Sequence, residues 1–394
     1  MSATKTSSAD LLPDALGRLE LPLHDIAADI AAAPARTAAK RFYRPELDAL
    51  RFFAFLAVLI HHGPAPAHGF LHVANEAGGF GLSMFFLLSA YLITELLLRE
   101  REQSGTVAWG LFFTRRALRI WPLYYAALVI GIAIPRALPH HTGLRLPGIA
   151  AMFFFVANWF PNLLTSRLLA HLWSISIEEQ FYLIWPPIMK FGGKTMALFA
   201  SIGFIVSAIV WLWFFFGKTW LLWYDTPVEF LFFAAGAIIA LVAHGKPARC
   251  TSVVTRGALL IAGLLSLAAA SQFGAFVRNN AQGITRTRPF VGYAGVVAGC
   301  VLIFCAILGI SSVPRSLSYL GKISYGLYVF HASIMQGCAH LTLNLAAHPA
   351  LNMIVCDGLG LTLSILAAHL SYTYFEMPFL KLKQRFEVIN SRPA

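Results

Sequence analysis

Arg51 and His62 stand in one short apolar segment, Leu47 to Gly63, with ten residues between them. Eleven helical steps of about 100° make close to three turns, so both side chains share a face. Eleven residues rise only about 16 Å, roughly half of a ~30 Å hydrocarbon core. The pair cannot occupy opposite membrane surfaces, so at least one member lies at membrane depth. Ionisable groups there are costly and by default mark a function. Histidine is the usual general base near neutral pH, and the arginine fork suits anions such as phosphate. His61 points about 100° away from His62 and does not share the Arg51 face. The plainer role for His62 is to cap the helix end.

Two further groups carry chemistry. Arg115, Arg116 and Arg119 lie between apolar runs, and Arg116 and Arg119 share one side if that stretch is helical. Their plainer role is topological anchoring. Glu178 and Glu179 sit early in another apolar run. Adjacent helical residues diverge by about 100°, so the two acids do not serve one partner. An ion pair with an arginine is the structural alternative. Trp173, Phe181, Tyr182 and Trp185 follow as packing or interfacial aromatics, with Tyr182 also able to contact a sugar.

The elements that must position these groups are membrane helices. The 394 residues are 58% hydrophobic and 12% charged, with mean hydropathy +0.68. A soluble domain carries about twice that charge. No second, polar composition block appears, so the chain reads as one integral membrane domain. The net charge of +12 comes from lysines and arginines between apolar segments, a pattern that orients loops and argues against a nucleic-acid partner.

Apolar runs fall near 47–63, 79–98, 118–134, 149–163, 172–190, 196–216, 226–243, 256–273, 291–310, 323–342 and 352–376. The fourth is short. If it does not span, 16 lysines and arginines fall inside and 7 outside, leaving the N-terminal tail aside. That partition obeys the positive-inside rule. The expected fold is an all-α, polytopic bundle of about ten transmembrane helices, with both termini cytoplasmic. Residues 1–40 read as a flexible cytoplasmic tail without a signal peptide, 41–380 as the membrane domain, and 381–394 as a short basic cytoplasmic tail.

Other chemistries find little support. There is no internal repeat, Walker loop or dinucleotide fingerprint, and Gly78-Gly79-Phe80-Gly81 opens a membrane helix rather than following a strand. Cys250, Cys300, Cys305, Cys338 and Cys356 show no CxxC pairing and read as inert buried thiols. His68, His72, His140, His141 and His171 all fall on the inferred outer side without HExxH or tight ligand spacing, so no metal is expected.

Six segments, in order, resemble the acyltransferase-3 family of membrane acyltransferases. They are Leu47 to Arg51 through His62, Phe85 to Thr94, Phe113 to Pro122, His171 to Tyr182, Ser324 to His331, and Tyr374 to Phe379. The match covers most of the chain after residue 41. Two positions depart from it: Ala90 stands where glycine is more usual, and Glu376 where a basic residue more often precedes Met377-Pro378. Some members carry a fused soluble esterase-like domain, which this sequence is expected to lack.

The resemblance implies an O-acyltransferase that moves an acyl group, usually acetyl from acetyl-CoA, to a hydroxyl of a cell-surface glycan or related molecule. It implies His62, Arg51 and Glu178 as catalytic residues. Arg116, Arg119 and Arg51 are implied for the acyl-CoA phosphates, and Tyr182 and His331 for the acceptor. The expected location is the bacterial inner membrane, and the bilayer, an acyl-CoA and a hydroxylated acceptor are the expected partners. Whether His62 acts as base or forms an acyl-histidine stays open at this level, as do the acceptor, the acyl length and the oligomeric state. A transporter of a polar glycan is the other function class, since intramembrane charges serve that role too. The paired broken helices in two related halves that mark many transporters are not found.

Overall fold

The computed structural model describes residues 42–137, 143–166, 168–216, 222–246, 252–272 and 287–389. The expected N-terminal tail, Cys250, His140 and His141 lie outside the described residues. All regular secondary structure among them is helical. The helices are α1 (Pro45–His62), α2 (Phe70–Gly78), α3 (Gly81–Ser104), α4 (Trp109–Ala137), α5 (Leu146–Phe153), α6 (Trp173–Phe215) and α7 (Thr226–Ala243). There follow α8 (Val253–Gln272), α9 (Thr287–Ile307), α10 (Arg315–Lys322), α11 (Ser324–Leu341), α12 (Pro349–Leu370) and α13 (Met377–Gln384). A π-helical stretch, Ser371–Glu376, joins the last two.

Seven helical stretches are long and apolar enough to cross a membrane, against an expectation of about ten. The difference has local causes. α1 carries Glu46, Asp48 and Arg51, and α11 is diluted by polar residues such as Ser324, His331 and Gln336. α6 covers 43 residues as two helices joined across a kink, each about 30 Å at 1.5 Å per residue and so long enough for a bilayer core. Its two halves meet at Gly193, whose φ of 58° and ψ of −148° suit only glycine. Arg101 donates to the carbonyls of Met189 and Lys190 there, satisfying acceptors that the break would orphan. The 149–163 run becomes α5 and two 3-10 turns, Ala157–Trp159 and Pro161–Leu163. Eight helical residues reach only about 12 Å and cannot cross.

α1 forms for legible reasons. Pro45 starts it, Glu46 and Asp48 occupy its first turn, and His61 and His62 its last, all matching the helix dipole. It packs against α2, α3, α10, α11 and α12, which makes it the hub of the site. The Gly78–Gly81 stretch is a packing device. A Cβ at Gly78 would stand 2.4 Å from the Ala57 carbonyl oxygen, and one at Gly81 2.2 Å from that of Ala54. Elsewhere α3 and α6 pack on α7, α8 on α9, α11 on α12, and α13 on α4.

Candidate active site

The α1 register carries Arg51 in its second turn and His62 as its last residue, eleven positions apart on one continuous helix and so on one face, as their spacing predicts. Around Arg51 two pockets meet. The first opens between the start of α1, α3, α4 and the C-terminal segment, and encloses about 890 Å³, open solvent included. Its charged lining is Arg44, Arg51, Arg115, Arg116, Arg119 and Lys383 against Asp48, Glu100 and Glu387. Arg51 pairs with Asp48 at 3.5 Å, Arg115 with Glu100 at 3.3 Å, and Lys383 with Glu387 at 3.3 Å. Arg44 pairs with Glu46 at 3.6 Å. Arg116 and Arg119 have no ion pair among the described residues.

The second pocket shares Arg51, Arg116 and Arg119 with the first, so the two form one path past three guanidinium groups. It is lined further in by Phe85, Ser89, Ser174, Glu178, Tyr182, Tyr325 and Tyr328. Ser89 Oγ donates to Glu178 Oε1 at 2.5 Å. The Arg116 guanidinium lies 5.4 Å from the centre of the Tyr182 ring and 5.3 Å from that of Phe112. Glu178 and Glu179 diverge as expected. Glu178 lines the pocket, whereas Glu179 meets the Trp121 side chain.

Beyond Tyr328 lies a histidine cluster. The His331 ring is 5.3 Å from Tyr328, 5.1 Å from His171 and 4.8 Å from His62, centre to centre. Each histidine meets a backbone carbonyl, which only accepts, so the tautomer follows. His62 Nδ1 donates to Val58 O at 2.8 Å, and His331 Nδ1 to Tyr328 O at 2.6 Å. His171 Nε2 donates to Val329 O at 3.1 Å. The lone pairs are thereby left on His62 Nε2, His331 Nε2 and His171 Nδ1. The last two atoms are buried without a hydrogen-bond partner. His62 itself is exposed at the end of α1. His61 turns away, its Nδ1 meeting Asn75 O at 2.9 Å.

The structure thus brings Arg51, Arg116, Arg119, Glu178 and Tyr182 to one path. His62 and His331 line neither pocket and stand next to it, behind Tyr328. Tyr182 is largely buried, lines the inner pocket and carries the Arg116 guanidinium over its ring. Sequence reasoning missed Ser89, Tyr328 and Asp357, and left His171 among the outer histidines. Asp357 Oδ1 is buried without a hydrogen-bond partner, 2.0 Å from where a Cβ on Gly63 would stand, so a side chain at position 63 would displace the carboxylate. An acidic residue inside the apolar 352–376 run was the available signal. Among the described residues, no three histidine, cysteine, aspartate or glutamate side chains are grouped to hold a metal ion.

The profile of the family described as an acyltransferase domain matches residues 44–369, which include every residue of the path but Phe42, Tyr43 and those after 369. The chain belongs to the acyltransferase-3 family. It is 32% identical over 333 residues to the peptidoglycan O-acetyltransferase OatA of Listeria monocytogenes, covering 75% of this chain and 50% of that protein. A Staphylococcus aureus protein named as a candidate O-acetyltransferase is 27% identical over 392 residues, covering 90% of this chain and 60% of its own length. The candidate peptidoglycan O-acetyltransferase YrhL of Bacillus subtilis is 28% identical over 369 residues, covering 85% and 55%. The chain therefore spans about half to three-fifths of the length of these relatives. No solved structure matches it.

Proposed function

We propose that this chain transfers an acyl group, most simply acetyl, from a cytosolic acyl-CoA to a hydroxyl of a cell-surface glycan. The names of OatA and YrhL favour peptidoglycan as the acceptor. One observation carries the donor side of this reading. Arg116 and Arg119 face a shared passage with no close ion pair of their own among the described residues, Glu178 facing Arg116 only from farther off, and guanidinium groups so arranged call for an anion. Coenzyme A brings phosphates to them and a pantetheine arm for the passage beyond. The axial distance of about 16 Å from Arg51 to His62 suits that extended arm.

In this reading His62 Nε2 takes the proton of the acceptor hydroxyl as its oxygen attacks the thioester carbon. The C–O bond forms, the C–S bond breaks, and the proton passes to the departing thiolate. Val58 O holds Nδ1 and so keeps the basic nitrogen on the other side of the ring. The exposed His62 end leaves room for a glycan, while the donor comes from the Arg51 end. Glu178, held by Ser89, orients Tyr182 and through it Arg116. His331 positions the acceptor through its contact with His62.

We also infer ten spans. Counting α6 as two passes and adding the more polar α1 and α11 to the apolar stretches gives that number. Both termini are then cytoplasmic, in the inner membrane of a bacterium. The membrane domain runs from about residue 41 to 380.

Purified protein incubated with labelled acetyl-CoA and a peptidoglycan fragment tests the reading. Labelled ester supports it. Intact donor and unmodified glycan would instead favour transport of a polar glycan without chemistry.

A further inference from the structure

We propose that Lys383, on the C-terminal helix α13, is a phosphate-binding residue of the donor pocket. The inference rests on the acyl-CoA reading above. It goes beyond that reading because Lys383 lies after residue 369, where the family match ends.

α13 packs against α4, the helix that carries Arg115, Arg116 and Arg119. Just past α13, the Phe386 carbonyl accepts a hydrogen bond of 2.8 Å from Arg115. The segment is thereby fastened to the basic helix. It contributes Lys383, Glu387 and Ile389 to the pocket wall. Lys383 keeps only 16% of its side chain exposed and lies in the repulsive field of Arg119 and Arg116.

Bringing a partly buried ammonium beside two guanidinium groups is unfavourable unless something offsets it. Glu387 offsets one charge, through an ion pair of 3.3 Å one turn away. It does not neutralise Arg116 or Arg119. A ligand bearing several phosphate charges would neutralise all three cations together. Lys383 then exchanges Glu387 for a phosphate oxygen, and its flexible stem allows that short movement. A topological anchor would need neither burial nor a place in this wall.

The two residues of the ion pair make the test. Lys383→Gln and Glu387→Gln break the same contact, but only the first removes the cation. Equilibrium dissociation constants are measured on the purified full chain in detergent, with coenzyme A and with pantetheine as probes. Lys383→Gln is expected to weaken coenzyme A about tenfold, the loss of one charge-assisted hydrogen bond, and to leave pantetheine unchanged. Glu387→Gln is expected to tighten coenzyme A, because it removes the anion that opposes phosphate. Lys383→Arg, which keeps the charge, is expected to stay within about threefold of wild type.

The assignment is overturned if both glutamine variants weaken coenzyme A alike, since the pair would then only hold the helix. It is equally overturned if Lys383→Gln leaves coenzyme A binding intact. Should Lys383→Gln not fold, the Glu387→Gln and Lys383→Arg arms decide by the same signs. A wild-type protein that does not bind coenzyme A removes the donor reading itself, which is a distinct result.

Discussion

His62 meets His331 edge-on, with ring centres 4.8 Å apart and planes at 88°. Edge-to-face geometry fixes the ring of His62 from one side while the Val58 carbonyl fixes it from another. His331 in turn is fully buried and anchored by Tyr328 O. The histidine proposed as base is therefore preorganised, though exposed.

His62→Ala is expected to abolish acyl transfer with folding and membrane insertion intact. Its exposure means that truncation opens no cavity in the core. The check is labelled ester formed by purified variant. Retention of more than a tenth of wild-type activity would refute the assignment. His331→Ala removes a buried ring and the support of His62, so both lower activity and a lower melting temperature are expected, by about 1–3 kcal/mol of stability.

Replacing Arg116 or Arg119 with alanine should remove about 1.5–3 kcal/mol of charge-assisted hydrogen bonding to the donor. The expected signature is a higher KM for acyl-CoA with the acceptor KM little changed. Lysine should rescue partly, keeping the charge but losing the fork. A short thioester lacking the nucleotide should serve the variants and wild type alike. Equal losses on both donors would return these arginines to anchoring.

Much of this arrangement was legible in the sequence, for definite reasons. The Arg51–His62 register depends only on helical period, and α1 is helical throughout. The split between Glu178 and Glu179 follows from the same period. The 16-to-7 charge partition argued that 149–163 does not span, and eight-residue α5 agrees. What escaped depends on tertiary packing. His171 is 158 residues from Val329 in sequence, and nothing local announces that the two meet. Ser89 reaches Glu178 across 89 residues. The glycines at 78 and 81 carried no chemical signature because their role is steric, against carbonyls of another helix. The break in α6 was legible as well, since the apolar runs 172–190 and 196–216 stop on either side of Gly193.

Gly81→Val tests that packing. Its side chain would be driven into the Ala54 carbonyl and Val58, both on α1. Overpacking of this kind costs about 1–3 kcal/mol. A lower melting temperature in detergent is expected, with donor affinity reduced in step because α1 carries Arg51. An unchanged melting temperature would show that α1 and α3 separate freely.

Ser89→Ala separates positioning from charge in the inner pocket. Ser89 Oγ donates 2.5 Å to Glu178 Oε1, and Glu178 also meets the Tyr182 hydroxyl beneath Arg116. Removing the hydroxyl leaves the carboxylate in place but frees it to swing, at a cost of about 1–3 kcal/mol for the lost hydrogen bond. If Glu178 holds Tyr182 and Arg116 in register, the cost should appear mainly in the KM for acyl-CoA, since the phosphate-binding fork is what loses its brace. Glu178→Gln should move the same parameter further, because the charge facing Arg116 also goes. If Glu178 instead acted on the reacting atoms, both variants would lower kcat and leave the donor KM unchanged. Steady-state kinetics with acyl-CoA as the varied substrate distinguishes the two outcomes, and a kcat-only effect would move Glu178 from positioning the donor to the chemical step.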